Sequence, residues 1–113
     1  MAQFTPFTVI RPKAEYAAAL CAPPYDVVDR QEAARLAGDN PYSFLRVSRS
    51  EIELPEETNP YAEAVYERAR DNLLRWLDEG ILIREPQDRY MIYRQISGKH
   101  VQTGVVGCAG ISD

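Results

Sequence analysis

Asn59-Pro60-Tyr61-Ala62-Glu63-Ala64-Val65-Tyr66-Glu67-Arg68-Ala69-Arg70-Asp71-Asn72-Leu73-Leu74-Arg75-Trp76-Leu77-Asp78-Glu79-Gly80 is the longest periodic stretch of the chain. Ala62, Val65, Ala69, Leu73, Trp76 and Leu77 recur at steps of three and four, the spacing that gathers apolar side chains on one helix face. Thr58 or Asn59 can accept the first free N–H groups. Pro60 suits the opening helical position, where its missing N–H costs nothing. Gly80 supplies the stop. The stretch therefore reads as an amphipathic helix from Pro60 to Glu79, and a core must form against its apolar face.

Downstream the period changes to two. Between Arg89 and Ile96, Tyr90, Ile92 and Arg94 fall on one face and Met91, Tyr93 and Gln95 on the other. Ser97-Gly98-Lys99 makes a turn and Val101 to Ala109 returns, which gives an antiparallel hairpin. Upstream, Phe4 to Arg11 reads as a short strand or extended arm that stops at Pro12. Lys13 to Leu20 is a short helix of strong helix formers, ended by Pro23-Pro24. Asp29 and Glu32 have capping-box spacing for a helix from Gln31 to Ala37, with Ala33, Leu36 and Ala37 on one side and Gly38 as its stop. Asn40-Pro41 is a turn, Ser43 to Val47 reads as a strand, and residues 48–57 read as an exposed loop. The expected class is α+β: short N-terminal helices and a strand, one long amphipathic helix, and a C-terminal antiparallel hairpin.

A chain of 113 residues has room for one domain, and 45% hydrophobic against 27% charged residues excludes a disordered chain. Thirteen Lys and Arg face seventeen Asp and Glu, net −4, so no basic surplus exists to neutralise a nucleic-acid backbone. No apolar run approaches the roughly 20 residues of a membrane span, so no membrane partner is expected. Met1-Ala2-Gln3-Phe4-Thr5-Pro6 lacks the pattern of a secretion signal. Cys21 and Cys108 stand far apart with no Cys-x-x-Cys pair, which fits the cytoplasm and two small buried hydrophobes.

Familiar chemical motifs fail on inspection. Ser97-Gly98-Lys99-His100 resembles the tail of a phosphate-binding loop. Tyr93 stands where the first glycine belongs, His100 where Ser or Thr belongs, and no helix follows. Gly104, Gly107 and Gly110 read as sites of bulging or close backbone approach. His100 has no ligand spacing around it, so no metal site is expected. Glu51, Glu53, Glu56 and Glu57 read as a solvated charged loop. Pro23-Pro24-Tyr25-Asp26 is the most unusual string. It is either a rigid turn in which Asp26 serves nearby N–H groups, or a display of Tyr25 and Asp26 toward a small-molecule cleft.

Taken together, several strings carry a resemblance. They are Phe4-x-Pro6-Phe7 leading into Ile10-Arg11-Pro12, Pro23-Pro24-Tyr25-Asp26-Val27-Val28, Asn40-Pro41-x-Ser43-Phe44-Leu45-Arg46-Val47 and Asn59-Pro60-Tyr61. Trp76-Leu77-x-x-Gly80-Ile81-Leu82 and Tyr90-x-x-Tyr93-x-Gln95 before Gln102-Thr103-Gly104 complete the series. In this order and spacing they are similar to the start of the family called domain of unknown function 1015. That family resembles free-serine kinases of the ParB/sulfiredoxin-like superfamily. The resemblance implies a cytoplasmic phosphotransferase-like protein acting on a small hydroxylated metabolite, with ATP or ADP and Mg²⁺ used by the full-length protein. It implies further that residues 1–113 are a single N-terminal domain or fragment, since the family's Asp-Gly-His-His-Arg signature is absent here and belongs to a later part. The segment alone is then expected to be inactive. Tyr25, Asp26, Asn40 and Arg46 would shape a substrate or nucleotide cleft, Arg46 as the fork-shaped anion binder. The expected partners are the remainder of the same chain, a small-molecule substrate and a second copy in a homo-oligomer. The alternative is a non-catalytic interaction module whose long helix and hairpin form a docking surface.

Overall fold

Pro12 and the Pro23-Pro24 pair bracket the first helical segment of the chain, so that segment is short. A computed structural model describes residues 3–111. In chain order the elements are β1 (Phe4–Thr5), β2 (Ile10–Pro12), a 3₁₀ turn at Ala14–Tyr16 running into α1 (Ala17–Leu20), and a 3₁₀ turn at Tyr25–Val27. Next come α2 (Arg30–Ala37), α3 (Leu45–Ser48), a 3₁₀ turn at Ser50–Glu53, and α4 (Glu63–Asp78). The series closes with β3 (Leu82–Arg84), β4 (Met91–Ser97), β5 (His100–Val106) and β6 (Cys108–Ala109). The α+β class is therefore as read, with one long helix and a C-terminal antiparallel hairpin. No helix among the described residues is long and apolar enough to cross a membrane.

The chain divides into two compact units. Pro12–Ile83 form one, and residues 3–11 together with 84–111 form the other. In the 12–83 unit, Trp76 is the centre of a core with Leu20, Ile81 and Leu82, flanked by Tyr16, Tyr42, Val47, Leu73 and Leu77. Tyr42 meets Trp76 edge-on at 6.4 Å, and Tyr16 meets Tyr42 edge-on at 5.2 Å. Leu73, Trp76 and Leu77 come from the face the periodicity marked, so the apolar stripe of α4 is what organises this unit.

In the other unit β4 and β5 form a seven-pair ladder from Met91↔Val106 to Ser97↔His100. Gly98 opens the two-residue turn at φ +62, the sign that a primed hairpin turn demands at that position. β6 pairs antiparallel with β1, Phe4 opposite Ala109 and Thr5 opposite Cys108. The Phe4 ring stacks on Tyr90 at 5.5 Å, and the Tyr90 hydroxyl donates to the Phe4 carbonyl. Gly107 sits beneath that ring, where a Cβ would lie 2.7 Å from the Phe4 side chain and 2.9 Å from the Thr5 carbonyl oxygen. Gly107→Ala should therefore push β1 off β6 at a cost of about 1–3 kcal/mol. Amide exchange at Gly110, whose N–H donates to the Gln3 carbonyl at 3.2 Å, would speed up in that variant, and unchanged protection there would refute the contact. The Arg11 guanidinium binds the Glu85 carboxylate, with Arg89 on its other oxygen. Hydrogen bonding from Arg11 holds the Glu85 carboxyl below the usual carboxylate range. Its contribution to stability is present at neutral pH and disappears as acid protonates that carboxyl.

Five expectations are corrected. Ser43–Val47 is not a strand, and Leu45–Ser48 form the single helical turn α3. The Ser43 hydroxyl accepts from the Leu45 N–H, and the Ser43 carbonyl from the Arg46 N–H, so local bonds curl the segment despite its strand-like residues. The long helix begins at Glu63, three residues later than Pro60, because Asn59 Oδ1 takes the Tyr61 N–H and holds a turn there. Residues 48–57 are not uniformly exposed: Ser50 and Glu51 are buried while Pro55, Glu56 and Glu57 lie open. Cys21, at the end of α1, and Cys108, in the two-residue edge strand β6, are both exposed free thiols, not buried hydrophobes. Leu36 is exposed, and the small faces Ala33 and Ala37 carry the packing of α2 instead. The cap of that helix is as read, Glu32 N–H donating to Asp29 Oδ1 at 2.7 Å.

Candidate functional site

Two prolines with fixed φ deliver the chain to the 3₁₀ turn at Tyr25–Val27, where Tyr25 is 61% exposed. A ring left so open on a rigid turn is available to something else. Tyr25 lines a cavity of about 450 Å³ inside the 12–83 unit, with Tyr61, Tyr66, Arg30, Arg49 and Glu51 among its walls. That volume is in the range of small-molecule sites. The tyrosines bring apolar rings with polar tips, a combination suited to a half-wet ligand.

The floor is built by the turn at Ser50–Glu53. The Ser50 hydroxyl, fully buried, donates to the Val65 carbonyl at 2.6 Å and pins this turn to α4. Glu51, 5% exposed, lies 3.0 Å from Arg49 Nε. The two charges attract at that distance, yet the approach is not aligned as a hydrogen bond, and Arg49 Nε is buried with no acceptor. An unspent guanidinium donor beside a carboxylate is the most polar feature of the cavity wall. Arg30 is committed elsewhere: its Nη2 donates to the carbonyls of Leu54 and Pro55 at 2.8 and 3.0 Å and holds the rim.

Of the four residues singled out from sequence, only Tyr25 stands among the lining residues. Asp26 shares its turn and is exposed. Asn40 and Arg46 are brought together, but with each other. Asn40 Nδ2 donates to the Ala19 carbonyl and Asn40 Oδ1 accepts from Tyr42 N–H, while Arg46 Nε donates to the Asn40 carbonyl at 2.9 Å. The rest of the Arg46 fork donates to the Gly38 carbonyl and to Glu53 Oε2. Asn72, fully buried on α4, donates to the Arg46 carbonyl and to Glu53 Oε1, both at 2.8 Å. This network fixes Glu53, at the far end of the turn that carries Ser50 and Glu51. Arg49, Glu51 and Tyr66 were missed because they looked like a charged loop and an ordinary helix surface. No local signal in Arg49-Ser50-Glu51 marks their burial, which depends on the bond from Ser50 to the Val65 carbonyl.

A family model described as protein of unknown function (DUF1015) matches residues 4–113. No curated protein and no solved structure matches the chain.

Proposed function

The chain belongs to the DUF1015 family, and from that premise we propose that its 12–83 unit binds a small polar metabolite, within a protein of small-molecule kinase type. The observation that carries this is the cavity beneath Tyr25, with Arg49 Nε buried and unsatisfied in a residue of its wall. A ligand oxygen, from a carboxylate, a phosphate or a hydroxyl, would complete the guanidinium, and a ligand hydroxyl or ammonium would donate to Glu51. Tyr25 and Tyr66 would cover the ligand's apolar part. Arg46 and Asn40 would act as positioning residues, through the network that holds Glu53 and the cavity floor. Glu51 is already paired and stands as the single buried carboxylate of that wall. It does not amount to the oxygen-rich ligand set that Mg²⁺ requires. On this reading the unit binds and orients, and phosphoryl transfer belongs to groups outside it.

Calorimetric titration with serine, ADP and ATP, the nucleotides in Mg²⁺ buffer, tests the proposal. Heat with at least one of them, weakened about tenfold or more in Arg49→Gln, is the expected result, since one charge-assisted bond is worth roughly 1.5–3 kcal/mol. No heat with any ligand, from a protein whose circular dichroism shows it folded, would remove the proposal.

A further inference from the structure

The β4–β5 ribbon is open on both sides. Ile92, Ile96, Val101 and Val105, which share one face, are 74%, 66%, 56% and 63% exposed. Among the described residues the ribbon is a two-stranded sheet, and two strands by themselves are marginal in water. Its two outer edges differ. β4 carries Arg94 at its midpoint, so two-fold pairing of that edge with itself would oppose like charges directly. β5, His100-Val101-Gln102-Thr103-Gly104-Val105-Val106, holds no Asp, Glu, Lys, Arg or Pro, and none of the devices that keep an edge from pairing.

The β5 sequence is also close to symmetric about Thr103, with Val101 and Val105 equidistant from it. The two-residue turn makes Ser97 and His100 a hydrogen-bonded pair, and such pairs alternate along an antiparallel ladder. The free N–H and C=O groups on the outer side therefore belong to Val101, Thr103 and Val105. A two-fold axis through Thr103 brings Thr103 opposite its own copy and Val101 opposite the copy's Val105. Every outward group then meets a partner, no charge opposes another, and the apolar stripe runs unbroken across the seam.

We infer that the chain self-associates as a two-fold dimer through the outer edge of β5, in the register centred on Thr103. The occupant is a second copy because the edge is complementary to itself in hydrogen bonds, side chains and charge.

Light scattering across a dilution series, on the 113-residue chain and its variants, tests this. Wild type should run at twice the monomer mass. Thr103→Glu and Thr103→Lys should each weaken the dimer up to about fivefold, because each places like charges across the axis. An equimolar mixture of the two should dimerise more tightly than either alone. Thr103→Glu also faces Arg94 across the hairpin, so its own ribbon is favoured, and a weaker dimer in that variant does not reflect a melted hairpin. Several results would overturn the inference: a wild-type monomer at every concentration, whose edge then serves a different strand; open-ended assembly; dimers that neither substitution weakens; or a mixture no tighter than either variant alone.

Discussion

Trp76→Ala is expected to remove a large share of the stability of the 12–83 unit. The indole is 1% exposed, and it joins Leu20, Ile81 and Leu82 with the edge-on ring of Tyr42. Truncating a core aromatic of this size costs about 3–5 kcal/mol, from lost transfer energy and from the cavity left behind. Whole small domains have only about 5–15 kcal/mol to lose. Urea unfolding followed by far-ultraviolet circular dichroism measures the effect, since the substitution removes the sole tryptophan as a fluorescent probe. Trp76→Phe should be far milder. Its Nε1–H is buried without an acceptor, a penalty of about 1–3 kcal/mol that phenylalanine does not carry. The milder variant thus keeps most of the packing and sheds an unsatisfied donor. A loss as large as that of alanine would show that the indole shape, and not apolar volume, holds the core.

That core was legible because α4 is long enough for its period to stand out: Leu73, Trp76 and Leu77 are named by spacing alone. The hairpin was legible for the same reason at period two, with Gly98 marking its turn. Short segments were not. Ser43-Phe44-Leu45-Arg46-Val47 has the composition of a strand, and its helical turn depends on the Ser43 hydroxyl and on where Leu45 can be buried. No window of five residues encodes that. Ser50 and Glu51 sit in a stretch rich in charge and proline, and their burial follows from a bond to Val65, fifteen residues away. The candidate site suffered most. Arg46 was the natural anion binder by residue type, but residue type does not say which acceptors are near. Three protein oxygens occupy its fork, while Arg49, three positions on, keeps a buried donor with no acceptor.

The Arg46 fork leads to a second large effect, one that separates a scaffold role from a ligand contact. Arg46→Ala removes bonds to the Asn40 and Gly38 carbonyls and to Glu53, and strips Glu53 of its best-placed cation while Asn72 still points at it. Bonds to charged groups are worth roughly 1.5–3 kcal/mol each, and here they share one partly exposed side chain, so a total near 3 kcal/mol is expected. Arg46→Lys should recover little of it. A lysine presents one compact charge in place of a rigid fork, and the three acceptors lie in different segments: the end of α2, the turn after it and the Ser50–Glu53 turn. Urea midpoints give the stability loss. Amide exchange then locates it: the N–H groups of Ile52 and Leu54, bonded to the Arg49 and Glu51 carbonyls at 3.1 Å, should lose protection first. Because that turn carries Ser50 and Glu51, loosening it deforms the cavity although Arg46 is not among the lining residues. An Arg46→Lys variant as stable as wild type, with Ile52 and Leu54 still protected, would mean that the fork is not what holds the floor, and Arg46 would be free to serve a ligand after all.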